Sequence, residues 1–460
     1  MVHRFKKVFA FSLIASFLLT SGLGCSGVST EQQASVQPVS LEYWTVFNDV
    51  EELRKLATAY SQTRPYVKIN IRQVRYEEFD KLFVNALADD VAPDVVSMHT
   101  RWLHKYTSRL APMPAKVQMA NVSVQGQLKK ETIITQEELP LPTLRGISTN
   151  FVKTVSEDVI IDGNAYGLPL SVDTMGIFYN KDLLDKAGVA LPPTTWGELL
   201  DIVKKVTKVD AEGKIVQSAI PMGTGINIDN AADIIALLMM QNGVQVAKGQ
   251  SVLFADGLSD DLETHPAREA LRFYTDFARA TKEAYTWNDT LGNALDAFIA
   301  NRTVFYIGYS YDYDRIRAQA PQMNVEVIPL PQLNQGAPVN IANYWIESVV
   351  KKSTHQNEAW DFVRFLTTPE NIKTYTDATR RPTPLRAQIQ AQSEKPELEP
   401  FVQGLLTADN WYRGRDVDVA NAAMKNLITQ YLQPYGENQS PQERDAQLIS
   451  NAASVVQQTM

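Results

Sequence analysis

After residue 40, segments with the hydrophobic pattern of strands and segments with the hydrophobic pattern of helices follow one another along the chain. Short apolar or alternating runs typical of strands occupy residues 41–46, 67–71 and 93–98. Between them, apolar side chains recur with helical spacing over residues 50–60 and 79–87. The β-α-β-α-β order predicts an α/β fold with a mainly parallel sheet flanked by helices.

The middle of the chain continues the same pattern. Two strand-like runs and the start of a helix lie within residues 163–186, and Thr195 and Glu198 have the spacing of a capping box at the next helix. Residues 112–142 show weak periodicity, and we assign them no function. In a parallel sheet, ligands bind beyond the carboxyl ends of the strands, so residues 44–48 and 99–102 are expected at the edge of a site.

The amino terminus has the features of an export signal. Basic residues come first, an apolar run at residues 8–19 follows, and Gly24 precedes Cys25, which resembles the cleavage box of a bacterial lipoprotein. The apolar run is too short to span a bilayer. We therefore expect a signal peptide at 1–24, a lipid on the Cys25 sulfur and a flexible tether at 25–40. A generic signal with a chance cysteine is the alternative.

Composition narrows the function classes. A single cysteine in 460 residues excludes an intrachain disulfide framework and cysteine-rich metal centres. The five histidines show no metal-ligand spacing, so no metal or cofactor is expected. The net charge is −8, and no long basic run is present, which argues against a nucleic-acid partner.

Four blocks of sequence resemble one family. The first block spans residues 169–180 and consists of PLS, four intervening residues and GIFYN. The second block is PTTWGEL at residues 193–199. The third and fourth blocks lie at residues 298–310 and 359–370. These blocks are similar to extracellular solute-binding proteins of the maltose-binding-protein class, the capture subunits of ABC importers. The resemblance covers the chain from about residue 41 onwards.

The resemblance implies a type II periplasmic-binding-protein-like fold, in which two α/β lobes are joined by crossing strands. It places residues 41–168 plus 308–346 in lobe 1 and residues 169–307 plus 347–460 in lobe 2, with crossings near 168–173, 307–309 and after 346. It further implies a monomer that binds a solute in the cleft, closes by hinge motion and is recognised by permease subunits in the membrane. The expected location is extracytoplasmic, on a lipid anchor.

Family members of this branch commonly bind sugars, whose recognition needs aromatic rings for the C–H face and planar polar groups for the hydroxyls. We expect Trp345 to stack on the ligand and Asp173 to accept hydroxyl bonds or to cap the hinge. For the tryptophans, packing in the core is the alternative. The candidate ligand-binding residues are Trp44, Asn48, Arg101, Trp102, Asp173, Trp287, Tyr309, Ser310, Tyr311, Asp312, Trp345 and Arg381.

Other functions stay open at this point. The solute could be a polyamine, a metal chelate, a phosphodiester or a peptide, and the protein could present its solute to a sensor instead of a permease. A glycoside hydrolase is the least favoured alternative. It needs two carboxylates flanking a sugar, and no GxSxG, P-loop or HExxH motif points to another enzyme class.

Overall fold

The computed structural model describes residues 36–125, 131–258, 263–434 and 440–460. The predicted signal peptide, Cys25 and the tether up to residue 35 lie outside the described residues. The strands are β1 Val39–Thr45, β2 Val67–Gln73, β3 Val95–His99, β4 Lys116–Gln125, β5 Glu131–Pro140, β6 Ile160–Ile161, β7 Asn164–Ala165, β8 Asp173–Asn180, β9 Lys208–Val209, β10 Ile215–Gln217, β11 Ala247–Lys248, β12 Ser251–Val252, β13 Phe305–Tyr309, β14 Val325–Pro329, β15 Asn340–Asn343, β16 Trp345–Val349 and β17 Ala408–Asp409.

Helices pack against both sheets, and several of them begin at a residue whose side chain caps the first turn. The helices are α1 Val50–Thr63, α2 Tyr76–Ala88, α3 Leu103–Tyr106, α4 Leu144–Asn150, α5 Lys153–Val159, α6 Lys181–Lys186, α7 Trp196–Val206, α8 Ala231–Gln241, α9 Pro266–Asp276, α10 Ala294–Ile299, α11 Asp312–Gln319, α12 Gln356–Leu366, α13 Pro369–Thr379, α14 Ile389–Ser393, α15 Glu399–Val402, α16 Val417–Leu432 and α17 Pro441–Gln457. The Asp49 side chain accepts the Glu52 N–H at the start of α1, and the predicted capping box of Thr195 and Glu198 opens α7.

The first lobe contains a four-stranded sheet in the order β16-β3-β1-β2. Strand β1 is parallel to both neighbours, as predicted, and β16 joins antiparallel to β3. Helix α1 buries Leu53, Leu56 and Tyr60 against this lobe, which is the stripe that the sequence showed. The carboxyl ends of β1 and β3 therefore point to the same edge of the sheet.

The second lobe contains the sheet β13-β8-β15-β17, with β14 also paired to β8. Every residue of β8 and β13 is buried. The pairings of β8 with β13, β14 and β15 are antiparallel, and only β15 with β17 is parallel among the named strands of this sheet. The second sheet thus differs from the mainly parallel one expected, because β8 leaves the hinge whereas the strands beside it run back towards it.

Strand pairing also changes the expected lobe boundaries. Strands β13 and β14 both pair with β8, so the chain does not return to the first lobe at residues 307–309 and instead crosses at Tyr344, between β15 and β16. Helices α12 and α13 pack on β16 and α1, which places them in the first lobe. The misplacement has a physical reason: a buried, apolar strand such as β13 looks the same in sequence whether it crosses or stays.

Two further segments differ from expectation. Strand β1 begins at Val39, so the predicted tether ends before residue 40. Residues 112–142 hold the long hairpin of β4 and β5, whose base packs on α12 and buries Val117 and Met119. Within the described part of the chain, no helix is long and apolar enough to cross a bilayer.

Candidate functional site

A cavity of about 480 Å³ lies between the two lobes, where the carboxyl ends of β1 and β3 face the start of α8. Its size falls within the range of about 300–1,000 Å³ that is usual for small-molecule sites. We call it the first cavity. Its lining residues are Phe47, Asn48, Tyr76, His99, Arg101, Ser171, Asp173, Asp229, Asn230, Ala232, Asp233, Tyr311, Asn343, Tyr344, Trp345, Tyr375, Arg381, Val417 and Asn421.

The first-lobe wall of the cavity is aromatic. Trp345 begins β16 and meets Phe47 edge-on, with ring centroids 5.6 Å apart, while Phe47 stacks on Tyr76 at 6.0 Å. Trp102 lies behind them, 5.4 Å from Trp345 and 4.9 Å from Tyr76. Phe47 is 65% exposed and Trp345 half-buried, so this wall offers apolar ring surface to a ligand.

The second-lobe wall is polar and acidic. Asp229 and Asn230 precede α8, and Tyr311 follows β13 with 40% of its surface exposed. The Asp229 carboxylate accepts a hydrogen bond from Asn293 Nδ2 through one oxygen, which leaves acceptor capacity for ligand hydroxyls. The two walls together present rings on one side and hydrogen-bonding groups on the other.

Asp173 lines the cavity, but its hydrogen bonds give it a structural task. One carboxylate oxygen accepts the N–H groups of Thr174 and Ser310, and the other accepts the Ser310 hydroxyl and the Tyr311 N–H. A carboxylate has about four acceptor sites, so the protein occupies all of them. Burial raises the pKa of Asp173, although these hydrogen bonds oppose the shift. In this conformation Asp173 caps the turn that carries Tyr311, which is the hinge-capping alternative of the sequence.

Arg101, expected to contact ligand, crosses the cleft and enters the second lobe. Its Nη1 lies 2.8 Å from Asp233 Oδ1, and its Nε donates to Asn410. Asp233 also accepts hydrogen bonds from Tyr309 and Trp411. Burial raises the pKa of Asp233, but the charge of Arg101 and these hydrogen bonds outweigh it and hold the pKa below its usual value. The buried pair is therefore charged and joins the lobes.

Further contacts cross between the lobes. His99 Nδ1 accepts the Arg101 N–H, so its Nε2 carries the proton that is donated to Asn343. Burial and the nearby Arg101 lower the pKa of His99 to about 4, so the ring is neutral. Arg381 forms a more exposed ion pair with Asp314 of α11 at 2.7 Å. The structure is thus a closed form held by polar contacts.

Hydrogen bonds to first-lobe side chains fix the orientation of Asn48. Its amide nitrogen donates to Glu347 Oε1 at 2.7 Å and to Ser97 Oγ at 2.9 Å, while Tyr43 donates to the other Glu347 oxygen. Burial raises the pKa of Glu347. Asn48 lines the cavity, and because only its nitrogen takes part in these bonds, its amide oxygen keeps its acceptor capacity.

The structure brings half of the twelve predicted residues to the first cavity. These are Asn48, Arg101, Asp173, Tyr311, Trp345 and Arg381. Four others lie one layer behind the lining: Trp102 supports Trp345, Tyr309 donates to Asp233, Ser310 donates to Asp173, and Asp312 accepts the Tyr309 N–H.

Two predicted tryptophans lie in the cores instead of the cleft. Trp44 is buried in the first lobe, with the Arg72 guanidinium 4.8 Å from its ring centroid across the strand pair. Trp287 is fully buried in the second lobe, where its indole N–H donates to Asn227. Both placements follow the alternative of core packing, because side chains alternate along β1 and a large apolar ring is most stable away from water.

Other lining residues were not among the candidates. Phe47 lies within residues 44–48, which were expected at the edge of a site, although it was not named as a candidate. Tyr76 follows β2, a position that could have indicated it. Asp229 and Asp233 flank the start of α8, and Tyr375 comes from α13. No sequence signal places these last three at the cleft, since only the tertiary fold brings α8 and α13 to it.

The first cavity lies between two α/β lobes that are joined by crossing segments and combines stacking surfaces with fixed polar groups. In the described ranges, no three His, Cys, Asp or Glu residues are placed to hold a metal ion. This geometry defines a protein that encloses a small molecule between hinged lobes. A model of the bacterial extracellular solute-binding proteins matches residues 55–400, and the chain belongs to this family. Its members act outside the cytoplasm.

Relatives and solved structures agree with the family. The chain is similar to a binding protein of Brucella abortus (23% identity, 69% of this chain, 67% of the relative). It is also similar to the multiple sugar-binding protein of Streptococcus mutans (20% identity, 88% of each chain). Among crystal structures, the cyclic α-maltosyl-1,6-maltose binding protein of Arthrobacter globiformis superposes with a TM-score of 0.70 at 17% identity, over 92% of this chain and all of the other. The type II two-lobe fold class is confirmed.

Proposed function

We propose that the protein captures a mono- or oligosaccharide in the first cavity and delivers it to the permease subunits of an ABC importer. The observation that carries the proposal is the pairing of the aromatic wall, led by Trp345 and Phe47, with the polar wall opposite. A pyranose has an apolar C–H face and a rim of hydroxyls, and it meets both walls at once. The sugar-binding names of the relatives support the same ligand class.

The ligand-facing groups divide into two kinds. Trp345, Phe47 and Tyr76 would stack on the sugar face. Asn48 and Asp229 retain free acceptor atoms for hydroxyl donors, as described above. Asp173 and Asp233 would act as positioning residues, because their carboxylates are occupied by protein donors. A glycoside hydrolase would need two available carboxylates, so this arrangement favours binding without bond chemistry.

Delivery requires that ligand binding favours the closed form. A ligand shifts the equilibrium between open and closed lobes only through its different affinity for the two forms. A sugar that contacts both walls has this property, since opening the cleft would remove one wall. A permease that recognises the closed protein would then receive loaded molecules. We propose a monomer, since both walls come from one chain.

The membrane anchor is part of the proposal. Cleavage after Gly24 would leave Cys25 first in the mature chain, with a diacylglycerol on its sulfur. The tether would then hold the folded lobes near the outer surface of the cell membrane. Mass spectrometry of the mature amino terminus tests this step: a lipid-modified Cys25 is expected, and an unmodified Cys25 or cleavage elsewhere contradicts it.

A thermal-shift screen tests the ligand class. Purified protein is mixed with mono- and oligosaccharides, polyamines, phosphodiesters and peptides, and binding raises the melting temperature by mass action. We expect saccharides alone to stabilise the protein. Stabilisation only by another class would contradict the sugar assignment, and turnover of an oligosaccharide would contradict a binding function. A receptor kinase encoded beside the protein, instead of a permease, would favour sensing.

A further inference from the structure

The ring of His99 begins a short chain of hydrogen bonds along the wall of the first cavity. The Arg101 backbone N–H donates to His99 Nδ1 at 3.2 Å. Because a backbone N–H can only donate, Nδ1 is the acceptor, and in the neutral ring Nε2 carries the proton. The rings of Trp345 and Trp102 lie beside the imidazole, with centroids 5.1 and 6.2 Å from it. These contacts restrict rotation of the ring.

The proton on Nε2 sets the orientation of the Asn343 amide. His99 Nε2 lies 2.9 Å from Asn343 Oδ1. If the amide were turned over, its NH₂ group would face the imidazole N–H, and two donors would meet without an acceptor. The Tyr311 hydroxyl, 3.5 Å from Asn343 Nδ2, cannot fix the orientation, because a hydroxyl can donate or accept. The amide nitrogen of Asn343 therefore faces away from His99 and towards Tyr311.

This orientation leaves hydrogen-bond donors in one part of the first cavity. Asn343 and Tyr311 both line the cavity, as does Trp345. The Asn343 nitrogen has two N–H groups, and among the described residues only Tyr311 accepts from it. The Tyr311 oxygen accepts that bond, so its own O–H stays available as a donor. A ligand beside Trp345 therefore meets N–H and O–H donors here.

We propose that His99 is a positioning residue, which holds Asn343 with its amide nitrogen turned towards a sugar ligand. Asn343 and Tyr311 then donate to hydroxyl oxygens of the sugar. Asn48 and Asp229 accept from its hydroxyl hydrogens elsewhere in the cavity. A hydroxyl takes both roles, whereas a protonated polyamine offers no acceptor to the donors. This inference rests on the proposed function, because it takes a sugar as the ligand of the first cavity.

Two variants separate the roles of the two ring nitrogens. In His99→Asn, an amide oxygen takes the place of Nδ1, so the bond from Arg101 is kept and the donor to Asn343 is lost. In His99→Gln, an amide nitrogen takes the place of Nε2, so the donor is kept and the bond from Arg101 is lost. For the saccharide that binds, we expect affinity to fall about tenfold in His99→Asn and less than about threefold in His99→Gln.

Isothermal titration calorimetry measures these affinities with glucose, maltose, maltotriose, mannose, mannobiose and mannotriose. Asn343→Ala removes the group through which His99 acts, so it should also weaken binding about tenfold. Adding His99→Asn to Asn343→Ala should cause no further loss, because no amide remains to be oriented. If His99 only packs against its neighbours, the two losses add instead.

Nitrogen NMR of histidine-labelled protein supplies a readout that needs no ligand. The His99 signal, assigned by its absence in His99→Gln, should show the proton on Nε2 at pH 7. A proton on Nδ1 overturns the inference. So does a larger loss of affinity in His99→Gln than in His99→Asn, or additive losses in the double variant, while sugar binding stands. Binding of none of the saccharides to the wild type overturns both this inference and the proposed function.

Discussion

The two walls of the first cavity are built from different residue types. On the first-lobe side, Trp345, Phe47 and Tyr76 leave the strand ends with their rings facing the cleft. On the second-lobe side, the large ring of Trp287 is fully buried, and the cleft receives acids from the start of α8. Strand ends present side chains directly to a cleft, whereas the second lobe keeps Trp287 in its core and adds the ring of Tyr311 to these acids. A tryptophan is therefore a ligand candidate only where it adjoins a strand end at the cleft.

The largest effect should come from Trp287→Ala. Removing a fully buried indole leaves a cavity and should lower the free energy of unfolding by about 3–5 kcal/mol. Denaturant unfolding measures this loss, and calorimetry on the folded protein should show unchanged saccharide affinity. A loss of affinity with little loss of stability would return Trp287 to the ligand site and remove the contrast between the walls.

The second prediction concerns pH and Asp312, a buried acid behind the second-lobe wall. Burial raises the pKa of Asp312 from 3.8 to about 7. Because the folded state holds this proton more tightly than the unfolded state, stability is greatest below pH 4 for this group and falls as the pH rises through 7. The loss is at most about 4 kcal/mol, since one pKa unit corresponds to about 1.4 kcal/mol. On the other wall His99, with a pKa near 4, stays neutral from pH 5 to 8.

Asp312→Asn provides the comparison for this effect. Unfolding curves at pH 4.5, 6, 7 and 8 are measured for both proteins, and the difference between them isolates this carboxyl from other titrating groups. We expect the wild type to lose more stability than the variant over this range. Parallel pH profiles would show that Asp312 titrates normally.

The third prediction tests the buried pair that joins the walls. Asp233→Asn leaves Arg101 buried without a counter-charge, which costs about 3 kcal/mol in the closed arrangement. Because the two residues belong to different lobes, opening the cleft rehydrates Arg101, so the closed form is lost before the fold. Small-angle scattering should show a larger radius of gyration, and saccharide affinity should fall about a hundredfold.

Asp314→Asn is the matched control for that variant. It removes a cross-lobe pair in which Asp314 is 55% exposed, and exposed pairs contribute about 0–1 kcal/mol. Its affinity for the monosaccharide should therefore change less than about fivefold. Equal effects of the two variants, or an unchanged radius of gyration in Asp233→Asn, would contradict the role of the buried pair in closure.

The smallest effect should come from Trp345→Ala. Loss of the stacking ring should weaken saccharide binding by about 1–2 kcal/mol, which is about five- to thirtyfold. The melting temperature should change little because Trp345 is half-buried. Trp345→Phe should recover part of the affinity. Loss of the fold in Trp345→Ala would instead assign this residue to the core.

The sequence predicted local structure best where its signals act over a few residues. The capping box of Thr195 and Glu198 and the helix start within residues 163–186 occur as expected, because these hydrogen bonds join near neighbours. The hairpin of β4 and β5 was missed, since its strands alternate only weakly. The return to the first lobe was misplaced because pairing between β13 and β8 joins residues more than a hundred positions apart.

The candidate site also contains residues with a local sequence signal and residues that only contacts between distant segments bring to the cleft. Trp345 and Asn48 could be expected at the cleft because they adjoin strand ends in the family pattern, whereas Asp229 and Tyr375 carry no local signal. Arg101 was expected to hold ligand, but its partner Asp233 lies 132 positions away and could not be inferred. Asp173 was expected either to accept ligand hydroxyls or to cap the hinge, and its four protein donors became evident only in the fold.

The sequence by itself determined the family, the two-lobe α/β class, the first strands and a few helix starts, because these depend on short motifs and on periodicity. Only the tertiary structure decided which tryptophans face the cleft and which arginine joins the lobes. These features depend on contacts between distant segments, in which burial and charge pairing select one partner among many chemically similar residues.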